Sequence, residues 1–96
     1  MTTFQILREQ GETRGRYVLT RDGLEAELTY TIVNPGLIIA DHTGVPEALR
    51  GHGEGLALVT RLVEDARTDG VKIVPLCPFV NAQRMRHPDW ADAFVS

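Results

Sequence analysis

Three shortages in this sequence of 96 residues each exclude a class of protein or site. The single cysteine, Cys77, excludes an intramolecular disulfide framework and a cysteine-rich zinc site, and we expect no metal centre. No apolar run approaches the ~20 residues that a membrane-spanning helix needs. Positive charge is also scarce, because ten Lys and Arg residues face thirteen Asp and Glu residues, which gives a net charge of −3. Nucleic-acid-binding domains are usually strongly basic, so we expect neither a nucleic acid nor a membrane as a partner.

The remaining composition is that of an ordinary globular domain. The chain is 43% hydrophobic and 24% charged, which excludes a disordered protein. Its length suits one small domain, and we expect residues 1–96 to fold as a single unit that is a monomer or a weak homodimer. Residues Met1–Phe4 lack the charged start and apolar core of a signal peptide, which predicts a cytoplasmic protein.

The first half of the chain predicts an antiparallel meander of three strands. Residues 1–13 show only weak preferences. The β-rich run Arg16–Thr20 is joined to a second run, Leu24–Val33, by an Asp-Gly pair typical of a tight hairpin. Polar and apolar residues alternate in the second run, so one of its faces should be buried. After a turn at Asn34–Gly36, a third strand is predicted over Leu37–Thr43.

The second half predicts a helix, a parallel strand and a second, short helix. Leu58, Leu62 and Ala66 recur on one face of the first helix, and Gly70 is placed to end it. A fourth strand over Val71–Leu76 is then reached by a helical crossover, which makes it parallel to the third.

Proline positions set the bounds of the last elements. The short helix should begin at Pro78 and end near Arg86, before His87-Pro88. Trp90, Phe94 and Val95 suggest a final helical turn that docks the C-terminal segment. The predicted fold class is therefore α+β.

The most informative stretch is Arg50–Gly55, which reads RGHGEG and leads directly into the first helix. Glycine lets another molecule approach the backbone closely and makes positive φ accessible. A helix that begins in such a loop directs unpaired N–H groups and its positive dipole end at the same place. The pattern predicts an anion site for a phosphate or pyrophosphate. The alternative is a flexible turn, although three glycines are more than a turn requires.

Several ordered motifs resemble the GNAT superfamily of acyl-CoA N-acyltransferases. Arg50–Gly55 matches its signature of arginine or glutamine, two residues, glycine, one residue, and glycine or alanine. His42–Pro46, Pro75–Val80 and the closing His87-Pro88 resemble the minimal, single-domain branch of that superfamily. The resemblance extends over about residues 14–95 and implies a small GNAT-like fold.

The resemblance also implies coenzyme A or acetyl-CoA as the cofactor. The main-chain amides of Gly51–Gly55 would bind its pyrophosphate, and Arg50 would add positive charge. The end of the third strand would line the pantetheine arm, where the third and fourth strands splay apart. The short helix would offer an amide to the pantetheine and a cation to the 3′-phosphate, unless its basic residues form only a solvated face. The implied cofactor-binding residues are Val45, Arg50, Gly51, His52, Gly53, Glu54, Gly55, Asn81 and Arg84.

Two residues are candidates for the chemistry of acyl transfer. Cys77 is either a buried small residue or a thiol that relays the acyl group or protonates the departing coenzyme A thiolate. His42 is either a polar residue at the strand end or the base that takes a proton from the attacking amine. Strand alternation places Asp41 on the opposite face from His42, in a structural role. The only tyrosines, Tyr17 and Tyr30, lie far from the short helix that carries a tyrosine acid in many larger GNAT enzymes.

These residues favour an acetyl-CoA-dependent N-acetyltransferase that acts on an unidentified amine, either a small molecule or a protein. The alternative is a non-catalytic module that binds coenzyme A or acyl-CoA and serves in sensing or scaffolding.

Overall fold

The computed structural model describes residues 4–95. The predictions of an absent signal peptide and of a domain over residues 1–96 therefore rest partly on Met1–Thr3 and Ser96, which lie outside the described residues. The regular elements are β1 (Ile6–Gln10), β2 (Arg14–Arg21), β3 (Leu24–Asn34), β4 (Leu37–Gly44), α1 (Glu54–Asp69), β5 (Lys72–Val74) and α2 (Pro78–Arg86). Short 3₁₀ turns cover Glu47–Leu49 and Pro88–Ala93.

The strands form one mixed sheet in the order β1-β2-β3-β4-β5, which confirms the predicted α+β class. The first four strands are antiparallel neighbours, and β5 pairs with β4 in parallel after the crossover through α1. The hairpin between β2 and β3 is confirmed: Asp22 and Gly23 have φ angles of 53° and 77°, as a tight two-residue turn requires.

Helix α1 covers one face of this sheet, which we call the inner face. Leu58, Leu62 and Ala66 are buried against it, as the periodicity predicts. Gly70 ends the helix at a φ of 70°, a left-handed conformation that suits glycine. On β3 the residues that face α1, such as Leu28, are fully buried, whereas the intervening residues lie on the other, outer face. Within residues 4–95, no helix combines the length and apolar character needed to cross a membrane.

Strand β1 is the largest departure from the sequence prediction, which gave residues 1–13 only weak preferences. Ile6–Gln10 pairs along β2, although most of its residues are exposed at the edge of the sheet. Distant partners stabilise the strand: Arg8 Nε donates to the hydroxyl of Tyr30 at 3.0 Å, and Arg8 Nη1 donates to Asp69 on α1 at 3.2 Å. Such contacts between residues far apart in sequence leave no local periodicity.

A buried tyrosine completes this network. Tyr17 donates its hydroxyl to Asp65 Oδ2 at 2.8 Å. Burial raises the pKa of Tyr17 well above its usual value, and the hydrogen bond to Asp65 raises it further. The hydroxyl therefore stays protonated and ties β2 to α1.

Helix α2 has the predicted bounds, Pro78–Arg86, whereas strand β5 and the final turn differ from theirs. Strand β5 is limited to Lys72–Val74, inside the predicted range of residues 71–76. The final helical turn is the 3₁₀ segment Pro88–Ala93, in which Trp90 stacks on His87 with ring centroids 4.0 Å apart. Phe94, predicted to belong to that turn, is instead extended and forms a parallel bridge with Ile73.

We expect Gly15→Ala to destabilise the fold. Gly15 pairs with Tyr30 across β2 and β3, and a Cβ at Gly15 would overlap the Tyr30 ring. Overpacking of this kind costs about 1–3 kcal/mol, measurable as a lower midpoint of urea denaturation. Gly11→Ala is the control, because a Cβ at Gly11 would meet only the Arg14 carbonyl at 3.7 Å. Equal stability of the two variants would contradict the packing argument.

Candidate functional site

A bulge in β4 determines which side chains reach the site. Thr29 of β3 pairs with His42 and Tyr30 pairs with Ala40, so Asp41 is an extra residue in β4. Paired residues share a face of a sheet, and the bulge therefore places His42 on the outer face with Thr29. The following residue, Thr43, returns to the inner face.

Asp41 lies on the same face as His42, which corrects the expectation of opposite faces. Its Oδ2 accepts a hydrogen bond of 2.7 Å from the Thr31 hydroxyl. Thr31 and Thr29 are two residues apart on β3, and both point to the outer face. Simple alternation fails here because the bulge adds one residue to β4.

Strands β4 and β5 diverge just before this bulge. Their parallel pairing ends at Ile39 and Val74, and a single further hydrogen bond joins Cys77 N to the Ala40 carbonyl at 2.8 Å. The last residues of β4 consequently have a free side toward β5. This is the splay that the family resemblance implies.

Cys77 lies at the base of this divergence, directly before α2. It is buried, with 3% of its surface exposed. Its thiol donates to the Thr43 hydroxyl at a sulfur–oxygen distance of 3.4 Å. Cys77 is thus separated from the nearby cavity by Thr43, which lines that cavity.

The glycine loop connects β4 to α1 in a conformation that suits glycine. Gly51 and Gly53 have φ angles of 85° and 92°, and Gly53 is the residue that precedes the helix. The first three N–H groups of α1, those of Glu54, Gly55 and Leu56, have no partner inside the helix. Within residues 4–95, none of them donates to a loop carbonyl, and no side chain caps the helix. This helix terminus can hold an anion.

A cavity of about 460 Å³ opens at this terminus. Its walls come from the end of β4, the glycine loop, the first turn of α1 and the start of α2. Of the predicted cofactor-binding residues, those that line it are Val45, Arg50, Gly51, Gly53, Glu54 and Gly55.

A second cavity, of about 550 Å³, lies on the outer face. Its lining includes His42, Glu25 and Glu27, together with three residues that also line the first cavity: Thr43, Val45 and Arg50. The two cavities therefore meet at the end of β4. His42 and Cys77, the two predicted catalytic residues, lie on opposite sides of this meeting point.

Arg50 contributes to both cavities. Its Nε donates to the Val45 carbonyl at 3.1 Å, which fixes the guanidinium against the strand end. Within the described part of the chain its terminal nitrogens make no hydrogen bond, so they can contact an anion.

Helix α2 contributes an aromatic ring that the sequence analysis missed. Phe79 lines the first cavity, and its ring packs over Gly55, where an added Cβ would lie 2.7 Å from Phe79 Cζ. The sequence carries only a weak signal for this role, because a phenylalanine after a proline that starts a helix resembles an ordinary core residue. Gly55 is required for this close approach.

Three predicted cofactor-binding residues lie outside the cavity lining. Arg84 donates through Nε and Nη2 to Asn81 Oδ1, at 3.1 and 2.8 Å, so these two side chains bind each other along α2. His52 is exposed in the glycine loop. Their contacts with a cofactor stay predictions.

Glu54 is the least expected member of the site. Its side chain is fully buried, and Arg21 Nη1 donates to its Oε2 at 3.0 Å. The other oxygen, Oε1, is buried without a hydrogen-bond partner among the described residues. The glycine-loop pattern predicts Glu54 as a member of the site. It does not predict Arg21, which is 33 residues away in sequence.

The site combines an anion-binding helix terminus with a partly apolar cavity and a second cavity beside it. No group of three or more His, Cys, Asp or Glu side chains in residues 4–95 is arranged to hold a metal ion.

Comparisons with known proteins identify the family and support the fold. The family model described as GCN5-related N-acetyl-transferase matches residues 16–93. Strand β1, the first two residues of β2 and the segment after Ala93 lie outside the match. A similar solved structure is the NMR solution structure of a "GCN5-like putative N-acetyltransferase" from Staphylococcus aureus. It is 32% identical, with a TM-score of 0.73, and the similarity covers 100% of this chain and 92% of the other. No curated protein sequence matches the chain. Since the family model matches most of its length, this chain belongs to the GCN5-related N-acetyltransferase family.

Proposed function

We propose that this protein transfers an acetyl group from acetyl-CoA to an amine. The observation that carries the proposal is the junction of two cavities at the end of β4. One cavity is lined by the glycine loop and the N-terminus of α1, and the other lies on the outer face next to His42. Transfer between two substrates requires two sites that meet at the reacting atoms.

The residues of the first cavity fit coenzyme A. Gly51 and Gly53 keep left-handed conformations that expose backbone amides, and the first N–H groups of α1 are free. These groups would hold the pyrophosphate, with Arg50 as the nearest cation. Val45 and Phe79 would contact the less polar pantetheine arm.

The outer cavity would bind the amine acceptor. The carboxylates of Glu25 and Glu27 would favour the approach of an ammonium group, although Glu27 also accepts a hydrogen bond of 3.0 Å from Arg16. His42 is exposed there and would take a proton from that ammonium to free its lone pair.

When bound, the thioester supplies an activated acetyl group, so that a carbon–nitrogen bond forms as the carbon–sulfur bond breaks. The chain itself orients the two partners and handles protons. Thr43 lines the cavity, and its hydroxyl accepts a hydrogen bond from the Cys77 thiol. Thr43 can therefore pass a proton to the departing sulfur and receive one from Cys77. Because Cys77 is buried behind Thr43, this role suits it better than carrying the acetyl group.

The first test is acetyl transfer itself. We expect the protein, mixed with acetyl-CoA and a panel of polyamines, amino acids and lysine-containing peptides, to acetylate at least one amine. Mass spectrometry of the mixture detects the product. Binding of coenzyme A without any acetylated product would favour the non-catalytic module, and absence of binding would overturn both.

We expect Gly53→Asp to weaken coenzyme A binding about tenfold or more, because a carboxylate would compete for the free N–H groups and repel the pyrophosphate. Isothermal titration calorimetry gives the affinity. Gly70→Asp is the matched control: Gly70 has a similar left-handed φ of 70° at the far end of α1, away from the cavity. An unchanged affinity in Gly53→Asp, or an equal loss in Gly70→Asp, would contradict the anion site.

Cys77→Ala should retain acetyl transfer with kcat lowered roughly 100-fold or more, as expected when a proton donor is lost. Intact-protein mass spectrometry of the wild type with acetyl-CoA should show no acetyl adduct on Cys77. A complete loss of turnover together with an acetylated Cys77 in the wild type would instead establish the thiol as an acyl carrier.

A further inference from the structure

Glu54 is the one fully buried carboxylate among residues 4–95. It is the first residue of α1, the same turn whose free N–H groups would bind the pyrophosphate. An acidic side chain there stabilises the helix, because it interacts favourably with the positive end of the helix dipole. It also opposes the binding of a second anion at that terminus. In a buried site such opposition is strong, because little solvent screens the charge.

Arg21 is the cation that offsets this charge. Its Nη1 lies 3.0 Å from Glu54 Oε2, and no other side chain of the described residues bonds to that carboxylate. Arg21 is the last residue of β2, beside the hairpin, and is not part of the lining of the cofactor cavity. It therefore reaches the site only through Glu54.

We propose that Arg21 is a positioning residue of the cofactor site that acts through Glu54. By neutralising the buried carboxylate, Arg21 keeps the helix terminus positive enough to hold an anion. The inference rests on the proposed function, because it names the residue that prepares the site for the pyrophosphate.

The test compares coenzyme A affinity in three variants. Arg21→Met removes the cation that pairs with the buried Glu54 carboxylate, and we expect the affinity to fall about tenfold or more. Glu54→Leu removes the carboxylate, while Arg21, whose side chain is 40% exposed, can turn to solvent. We expect Glu54→Leu to bind at least as tightly as the wild type, because the main-chain N–H at this position, which would contact the pyrophosphate, is kept. The double variant Arg21→Met/Glu54→Leu should return to within about threefold of the wild type, because no buried charge is left.

Arg16→Met is the matched control. Arg16 is an arginine of the same strand, and its partners Glu9 and Glu27 are both more than one third exposed. We expect its coenzyme A affinity to equal that of the wild type. A loss as large as that of Arg21→Met would mean that the net charge of the protein, rather than the Glu54 pair, sets the affinity.

A second readout follows the backbone of the site. In ¹H–¹⁵N spectra without cofactor, Arg21→Met should shift the amide signals of Gly53 and Gly55, whereas Arg16→Met should leave them unchanged. Thermal unfolding of each variant identifies any loss that reflects unfolding. If Arg21→Met does not fold, the coenzyme A affinities of Glu54→Leu and of the double variant still test the proposal. Weakened binding in either variant contradicts it.

The outcomes separate the inference from the proposed function. A wild type that does not bind coenzyme A overturns both. A wild type that binds, with Arg21→Met equally tight, overturns the inference alone. A double variant as weak as Arg21→Met would show that Arg21 acts on the cofactor directly rather than through Glu54.

Discussion

Pairing between β4 and β5 ends at Ile39 and Val74, and two residues further along β4 the bulge at Asp41 changes the face of every following side chain. Divergence alone would leave a gap between two strands. The bulge turns Thr43 toward Cys77 and the first cavity, and it turns His42 toward the second. The candidate site therefore depends on one extra residue in one strand, because that residue directs Thr43 and His42 to different cavities.

Local patterns in the sequence predict the parts of the site that local physics determines. The glycine loop, the amphipathic helix and the position of Cys77 before α2 each depend on residues within a few positions of one another. The bulge depends on the pairing between two strands. The sequence of a strand shows which of its residues alternate, but it does not show where the pairing register with the partner strand shifts. The Arg8–Tyr30 hydrogen bond of strand β1 and the Arg21–Glu54 pair join residues 22 or more positions apart, for which a single sequence carries no periodic signal.

Charge at the helix terminus is balanced among several groups. A helix N-terminus attracts anions through its free N–H groups and the positive end of its dipole. Here the first turn also contains Glu54, so the positive end of the helix meets a buried negative charge before any ligand arrives. Arg50 on the loop and Arg21 on the hairpin have different tasks: the first faces the cavity, and the second compensates Glu54.

The two borders of the sheet show how a small protein with an open cleft can avoid fibrous self-association. Strand β1 exposes a mostly polar border, where Arg16 of the neighbouring strand pairs with Glu9. Strand β5 has only three residues, and its other side is occupied by Phe94 and by the hydrogen bond from Val95 N to the Ile73 carbonyl. Long, flat, apolar borders recruit strands from other copies, and neither border has that form. The divergence that opens the cleft lies inside the sheet, so the protein can keep a gap between strands without offering a template for aggregation.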